Sequence, residues 1–183
     1  MLRLKQNTVR IRESVKSDKD TIRIVHQNAF GELEGDTVSQ LAIALLECKT
    51  AQPVLSFVAE QNNKIIGNVI FSPVNIDGFK EFSAYILAPL AVLKDYQGKG
   101  VGTKLINKGL EILKDRGAEI VLVYGDPKYY VHTGFRAGHN LRPPHKLTYP
   151  KEAWMAQELK EGVLAKTQGT VQCALPLNSP EHW

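Results

Sequence analysis

The chain has 183 residues, of which 43% are hydrophobic and 23% are charged, and its formal net charge is +4. This length and composition predict one globular domain, residues 1–183, and argue against a disordered or fibrous protein. Basic residues are densest in the first twenty positions, but acidic residues interrupt them and no aromatic residue lies among them. The pattern favours a solvated surface, without nucleic acid as a partner.

The two cysteines, Cys48 and Cys173, lie far apart in the sequence and outside any CxxC pattern. This spacing argues against a disulfide framework and a zinc site, and it fits a reducing compartment. The first ten residues, MLRLKQNTVR, have no apolar core of a signal peptide, and no apolar run approaches the ~18 residues that span a bilayer. We therefore expect a cytoplasmic protein with no metal and no membrane partner.

The first elements along the chain are a strand and two helices. Residues 8–14 alternate apolar and charged side chains, which predicts a half-buried strand. Residues 17–31 have helical apolar spacing, with Ser17 or Asp18 as the N-cap and a stop at Gly31. A second amphipathic segment, which Asp36 would cap, predicts another helix up to about residue 49.

The middle of the chain is rich in apolar and β-branched residues. Three such segments predict strands, the first two joined by a turn with two asparagines: residues 54–60, 64–74 and 83–93. Pro89 interrupts the third segment, and because proline has no N–H group the hydrogen-bond ladder must break near it.

The second half begins with a clear amphipathic helix. Its apolar positions lie near one face from Val101 to Arg116, and Gly117 ends it. The remaining segments predict a buried strand, a short helix, a proline-rich loop and two last strands: residues 118–126, 127–134, 140–150, 153–159 and 170–175. This β-α-α-β-β-β-α-β-α-β-β order predicts one α/β (or α+β) domain around a mixed sheet.

A glycine-rich turn separates the strand at 83–93 from the helix that follows. Gly98, Gly100 and Gly102 would leave unpaired N–H groups at the positive end of the helix dipole, a site that favours phosphates. Lys99 and Lys104 add positive charge. The spacing matches neither the P-loop nor the GxGxxG pattern, which argues against a nucleotide site. A turn without a ligand would need only one or two glycines.

The stretch QGKGVG, residues 97–102, resembles the Gln/Arg-x-x-Gly-x-Gly/Ala pyrophosphate loop of the GNAT superfamily of acetyl-CoA-dependent N-acetyltransferases. The preceding LAPLAVLKDY is similar to the family's strand and short turn. Farther on, GDPKYYVHTGFR resembles the late family segment in which a tyrosine stands four residues before Gly-Phe. Over nearly its full length the chain is similar to the YhbS-like branch of that superfamily.

The resemblance implies the GNAT fold, with a mixed, mostly antiparallel sheet of about seven strands that splays between strands 4 and 5 and about four flanking helices. It also implies transfer of an acetyl group from acetyl-CoA to a primary amine, by direct attack in a ternary complex. The cofactor-binding residues that it implies are Leu90, Ala91, Val92, Gln97, Gly98, Lys99, Gly100, Val101, Gly102, Thr103 and Asp126.

Individual roles follow from the same resemblance. N–H groups from Gly98 to Thr103 would hold the pyrophosphate, and Gln97 would order the loop. Pantetheine would pair with main-chain groups of Leu90 and Val92. Tyr130 occupies the position from which a phenol protonates the leaving thiolate, whereas Tyr129 is expected to be a wall residue. For Asp126, capping of the short helix competes with direct contact.

The general base is unassigned, because the strand at 83–93 has no carboxylate or histidine. Candidates are Glu32, Glu34, Glu81 and His132, and water would serve a substrate amine of low pKa. The acidic cluster near residue 34 could attract a cationic amine, although helix capping explains it equally well.

An acyl-CoA sensor without turnover is the alternative function. Small amines, amino acids, antibiotics, peptide N-termini and protein lysines remain open as acceptors, and so does the choice between monomer and homodimer.

Overall fold

The computed structural model describes residues 8–183, except for the side chains of Lys80 and Glu81. The basic residues Arg3 and Lys5 and the side chain of the candidate base Glu81 therefore lie outside the part of the chain discussed below.

Within residues 8–183 the chain forms eight strands. They are β1 (Arg10–Glu13), β2 (Leu55–Gln61), β3 (Lys64–Ile76), β4 (Phe79–Val92), β5 (Ile120–Tyr124), β6 (Leu141–Arg142), β7 (Trp154–Glu158) and β8 (Gly169–Gln172). The main sheet has the order β1-β2-β3-β4-β5-β7, and β8 pairs with both β3 and β6. Neighbouring strands are antiparallel except for β4 with β5 and β6 with β8, which are parallel. The mixed, mostly antiparallel sheet expected from the resemblance is thus confirmed.

One strand lies in a segment that was expected to be a loop. β6 occupies two residues of the proline-rich stretch, and it pairs through Leu141 with Gly169 and through Arg142 with Thr170. Two residues are too few to show the period-two alternation by which strands are recognised in a sequence. The loop prediction for residues 140–150 is therefore wrong at this point.

The described residues form four α-helices, α1 (Lys19–Leu46), α2 (Val101–Asp115), α3 (Pro127–Tyr130) and α4 (Val163–Lys166). Gly31 interrupts α1 with φ 73° and ψ −165°, so the predicted stop exists as a break within one helical element. The prediction that Asp36 caps a second helix is wrong. Helix resumes directly after Gly31, and Asp36 lies inside it, accepting a 3.1 Å hydrogen bond from Gln27 Nε2. None of these helices is long and apolar enough to cross a membrane.

The break in α1 lets one helical element cover both faces of the sheet. Neighbouring strand residues point to opposite faces, so Val121 packs in one core cluster while Leu122 packs in the other. Ile22, which precedes Gly31, lies in the first cluster together with the apolar face of α2. Leu41, which follows Gly31, lies in the second. The chain therefore passes around the sheet near Gly31.

The strands β4 and β5 separate, as the resemblance implies. They pair only from Ala84 with Ile120 to Leu87 with Val123, and beyond Leu87 the strand β4 continues without β5. The pairing of β4 with β3 also shifts register between Val69 and Phe71, opposite the segment that contains Pro89. One edge of the last residues of β4 is thus open, next to the glycine-rich turn.

Candidate active site

The glycine-rich turn ends β4 and begins α2. Gly98 has φ 71° and Gly100 has φ 80°, and a Cβ built on either glycine would meet nothing within 4 Å. These are left-handed angles that favour glycine, and the space around them is open. Gly100 is the N-cap of α2, and no described side chain caps the helix. The first helical bond runs from Lys104 N–H to Gly100 O at 3.1 Å, so the preceding N–H groups face a potential anion.

Two side chains of the turn bind main-chain oxygens. Gln97 Nε2 donates to Val92 O at 2.9 Å, which ties the turn to the end of β4. Lys99 Nζ donates to Asp95 O at 2.8 Å and lies 5.6 Å from the centre of the Tyr96 ring. Gln97 thus orders the turn in this structure, as expected, whereas Lys99 is directed toward the short turn that precedes it.

The open edge of β4 presents main-chain groups at alternate residues. Leu93 N–H bonds to Ile66 O of β3 at 2.9 Å. Because these groups alternate in direction along a strand, Val92 and Leu90 point theirs away from β3, while Ala91 points toward it. Both Leu90 and Val92 also pack their side chains against the core. Leu90 and Val92 therefore present main-chain groups rather than side chains at the open edge of β4.

Helix α3 holds two adjacent tyrosines in different surroundings. Asp126 caps this helix, because its Oδ1 accepts from Lys128 N–H at 2.9 Å. The phenol of Tyr129 reaches the first turn of α2, where a Cβ on Gly102 would lie 2.1 Å from its oxygen. The Tyr130 ring packs edge-on against Phe135, with 5.9 Å between ring centres. The Tyr129 hydroxyl therefore lies beside the glycine-rich turn, and the wall role of this residue stays a prediction.

Burial changes the acidity of both phenols. Desolvation raises the pKa of Tyr130 above the ordinary value of a phenol, and the neighbouring Tyr129 adds to the effect. Desolvation also raises the pKa of Tyr129, while a hydrogen bond with Thr103 opposes that change. Both side chains are therefore protonated at neutral pH.

A cavity of about 690 Å³ lies beside the splayed strands. Five stretches of chain line it: α1 between residues 30 and 41, β4 from Ile86 to Leu90, the end of β5 with α3, residues 148–149, and residues 177–183. Tyr130 lines this cavity and Tyr129 does not. Since Leu90 also lines it, the open edge of β4 leads from the glycine-rich turn directly into the cavity.

The structure separates the candidate bases. Glu34 lines the cavity beside Tyr130, whereas Glu32 lines a different polar hollow with Lys94. His132 is exposed and lies outside the cavity lining. Only Glu34, of the candidates whose side chains are described, shares a cavity with Tyr130.

The cavity residues that the sequence analysis missed include Glu181, His182 and Trp183. They lie at the end of the chain, beyond the last predicted strand, in a segment without helical or strand periodicity. No local signal could have found them, because only the tertiary fold brings this segment back to the splayed strands. The same folding contributes Tyr149, which lies in the expected loop.

The described residues contain no group of three or more histidine, cysteine, aspartate or glutamate side chains that could hold a metal ion. The cysteines Cys48 and Cys173 are both free thiols, and neither lines the cavity.

Comparison with known proteins gives concordant results. Residues 20–135 match the acetyltransferase (GNAT) family. The uncharacterised N-acetyltransferase YjhQ of Escherichia coli K12 is 38% identical over 167 residues, which are 88% of this chain and 90% of YjhQ. The GNAT-family N-acetyltransferase YhbS of E. coli, crystallised with CoA, has a TM-score of 0.82 and 28% identity, covering 93% of this chain and 92% of that one.

A GNAT-family acetyltransferase of Brucella melitensis, crystallised with acetyl-CoA, has a TM-score of 0.74 and 28% identity, covering 94% of this chain and 99% of its own. The splayed strands, the uncapped start of α2 and the sequence match over most of the chain therefore lead to one conclusion. The chain belongs to the acetyltransferase (GNAT) family.

Proposed function

We propose that the protein transfers the acetyl group of acetyl-CoA to a primary amine. One observation carries this proposal: the open edge of β4 connects the uncapped start of α2 with the cavity that Tyr130 lines. Gln97 fixes one end of this edge at Val92, and Leu90 forms part of the cavity wall at the other. The complexes of the Escherichia coli and Brucella relatives with CoA and acetyl-CoA support the same ligand here.

Acetyl-CoA would bind along this edge from the turn to the cavity. The N–H groups between Gly98 and Thr103 would hold the pyrophosphate, at the positive end of the α2 dipole. The pantetheine amides would pair with the outward main-chain groups of Leu90 and Val92. This arrangement would deliver the thioester to the cavity, where the acceptor amine can reach it.

The proposed reaction is a direct attack. The amine nitrogen forms a bond to the thioester carbon, the outward N–H group of Leu90 at the cavity end of the open edge stabilises the oxyanion, and the C–S bond then breaks. The leaving thiolate takes its proton from the Tyr130 phenol. The raised pKa of this phenol makes it a weaker acid than an exposed tyrosine, but desolvation in the same cavity raises the proton affinity of the thiolate as well. The lack of a cysteine in the cavity lining supports direct transfer without an acyl-enzyme.

We assign the base role to His182, which lines the same cavity as Tyr130. Its Nε2 lies 3.6 Å from Glu181 Oε1, so a carboxylate is in place to stabilise the imidazolium that forms when the amine gives up its proton. Desolvation lowers the pKa of His182, and Glu181 and a hydrogen bond with the Pro176 backbone oppose this change. The imidazole is therefore neutral at pH 7 and able to accept a proton.

Titration with acetyl-CoA tests the ligand. At about 100 times Kd, bound acetyl-CoA adds about 2.7 kcal/mol to the unfolding free energy, a rise in Tm of several degrees. A Gly100→Glu variant should lose this rise, because its carboxylate competes for the N–H groups. Gly117→Glu at the other end of α2 is the matched control, since Gly117 has φ 87° and open space as well. Equal loss in both variants, or no rise in the wild type, would contradict the proposal.

The pH profile of kcat/KM tests the base. The acidic limb of the wild type should contain the ionisation of the acceptor amine and, below pH 6.5, the ordinary pKa of histidine, a second ionisation that His182→Gln should remove. The cavity holds these further titratable side chains: Glu34, Asp126, Glu181, Tyr124, Tyr130 and Tyr149. Carboxylates and phenols ordinarily titrate below about pH 5 and above about pH 9, outside this window. An unchanged acidic limb in His182→Gln would remove His182 from the mechanism.

A further inference from the structure

The cavity has an aromatic wall that is fixed by its own contacts. The Tyr124 ring stacks on Trp183 with 5.7 Å between centres and meets Tyr149 at 6.0 Å. Tyr124 Oη accepts from Tyr149 N–H at 2.8 Å, and Trp183 Nε1 donates to Leu177 O at 2.9 Å. The rings thus have little freedom to turn away, and they present a preformed surface for a flat or apolar group.

The rim of the same cavity leaves apolar surface in contact with solvent. Leu33 is 97% exposed and Tyr149 is 66% exposed, and both line the cavity. A bound molecule with an apolar body would cover these side chains and remove their surface from water, which favours binding. A strongly polar acceptor would gain nothing from them.

The charges around the cavity have one sign. Three carboxylate side chains come from three separate segments: Glu34 from α1, Asp126 from the start of α3, and Glu181 from the last residues of the chain. No lysine or arginine occurs among the described residues that line the cavity. Such a cavity attracts a cationic ammonium group and repels an acceptor that carries a carboxylate. The aromatic faces add to the attraction for a cation.

The size of the cavity favours a compact ligand. Its volume of about 690 Å³ lies in the range of small-molecule sites, and five stretches of chain form its walls.

From these features we infer the class of the acceptor, an inference that rests on the proposed function. The acceptor is a small primary amine with an aromatic or apolar body and without a carboxylate beside its amine. Glu34, Asp126 and Glu181 attract the ammonium group, and Tyr124, Tyr149 and Trp183 hold the body. Free amino acids are excluded by charge, and the volume of the cavity favours a small molecule over a polypeptide.

Matched acceptors test this inference. Tyramine and tyrosine differ only in the carboxylate, tyrosinamide replaces the carboxylate by a neutral amide, and ethylamine lacks the ring. We expect kcat/KM for tyramine to exceed the value for tyrosine at least about tenfold, with tyrosinamide close to tyramine and ethylamine much poorer. A tetrapeptide that begins with tyrosine should be a poor acceptor. Tyrosine as good as tyramine, or the tetrapeptide as good as tyrosinamide, would overturn the inference.

Variants connect these preferences to the named residues. Glu34→Gln should reduce the ratio of kcat/KM for tyramine to that for tyrosine several-fold, whereas Glu32→Gln, two residues away on α1 and outside the cavity lining, should leave it unchanged. Tyr149→Ala should reduce the preference for tyramine over ethylamine, with Leu175→Ala, another exposed apolar residue, as the control outside the cavity. Equal effects of Glu34→Gln and Glu32→Gln would contradict the charge argument.

Direct binding separates this inference from the proposed function. Titration of the protein–CoA complex with tyramine and with tyrosine measures the preference without turnover. Tyramine binding that Glu34→Gln weakens would support the inference even if no acetyl transfer occurred, and the lack of transfer would then count against the proposed function alone. Transfer to amines without any preference for tyramine over tyrosine would leave the proposed function standing and overturn the inference.

Discussion

The hydroxyl oxygen of Tyr129 lies where the β-carbon of residue 102 would be, because a Cβ built on Gly102 comes within 2.1 Å of it. The next ring atom, Tyr129 Cζ, would be 3.4 Å away, an ordinary contact. The phenol oxygen of Tyr129 is therefore the one atom of that ring that would overlap with a β-carbon at residue 102.

This fit predicts a coupling between two substitutions. Gly102→Ala alone should lower the unfolding free energy, because the overlap with the phenol costs about 1–3 kcal/mol and outweighs the gain of about 1 kcal/mol from replacing glycine in a helix. Adding Tyr129→Phe removes the oxygen, so the double variant should be at least as stable as Tyr129→Phe alone. Urea denaturation of the four proteins measures the cycle. Additive effects would show that Tyr129 moves aside without loss.

The two tyrosines of α3 should affect different constants. Tyr130→Phe should lower kcat about 100-fold while leaving the Kd of acetyl-CoA nearly unchanged, because only the proton donor is lost. Tyr129→Phe, which removes the hydroxyl that reaches the first turn of α2, should instead raise that Kd and leave kcat close to the wild-type value. Single-turnover kinetics with equilibrium binding separates the two effects. A similar loss of kcat in both variants would contradict the proton-donor role of Tyr130.

A buried histidine should make stability depend on pH. His26 is fully buried, its Nε2 lies 2.9 Å from Asn68 Oδ1, and burial lowers its pKa from 6.5 to about 4. The unfolded chain thus takes up this proton at a higher pH than the folded protein does. The contribution is fully present above pH 6.5 and is lost as the pH falls toward 4.

The predicted difference between about pH 7.5 and pH 5 is about 2 kcal/mol from this group. His26→Gln, whose amide can still donate to Asn68, should lose most of that difference. His139 and His182 keep a smaller slope of the same sign, because burial lowers the pKa of each. Urea denaturation at the two pH values gives the difference directly, and an equal slope in variant and wild type would contradict the prediction.

The aromatic wall should also contribute to stability. Trp183 is 6% exposed and contacts both Tyr124 and Trp154. Trp183→Ala should therefore lower the unfolding free energy by about 3 kcal/mol, and Trp183→Phe by clearly less. The glycine-rich turn is formed by other elements, so the Kd of acetyl-CoA should stay the same in the folded variant. Denaturation with and without acetyl-CoA measures both quantities, and weaker acetyl-CoA binding in Trp183→Phe would contradict this separation.

The local structure of the glycine-rich turn and of α2 and α3 could be predicted because its signals are local. Glycines at 98 and 100 require left-handed angles, the apolar positions of α2 repeat at helical spacing, and Asp126 precedes a proline at a helix start. Each pattern involves neighbours in the chain, and the structure contains all three. The catalytic role of Tyr130 comes from the same kind of short motif and stays a prediction.

The acceptor side could not be predicted, because its residues come together only in the folded chain. Glu34 is the exception, because the acidic cluster around it already indicated an attraction for a cationic amine. Tyr149 and Trp183 lie on segments far from it in sequence, and neither segment has a pattern that indicates a cavity. The course of α1 after Gly31 could not be predicted for the same reason. A glycine after helical spacing indicates a stop, but whether the helix resumes depends on how the following residues pack against the second face of the sheet.

The open edge of β4 has a further consequence for how the site can vary. Peptide groups are the same in every residue type except proline, so a ligand that pairs with Leu90 and Val92 is recognised without reference to their side chains. Those side chains pack inward and are constrained by the core. Homologous proteins can therefore exchange the residues along this edge as the core changes and still bind the same ligand, whereas insertion of one residue would reverse the direction of every group and abolish binding.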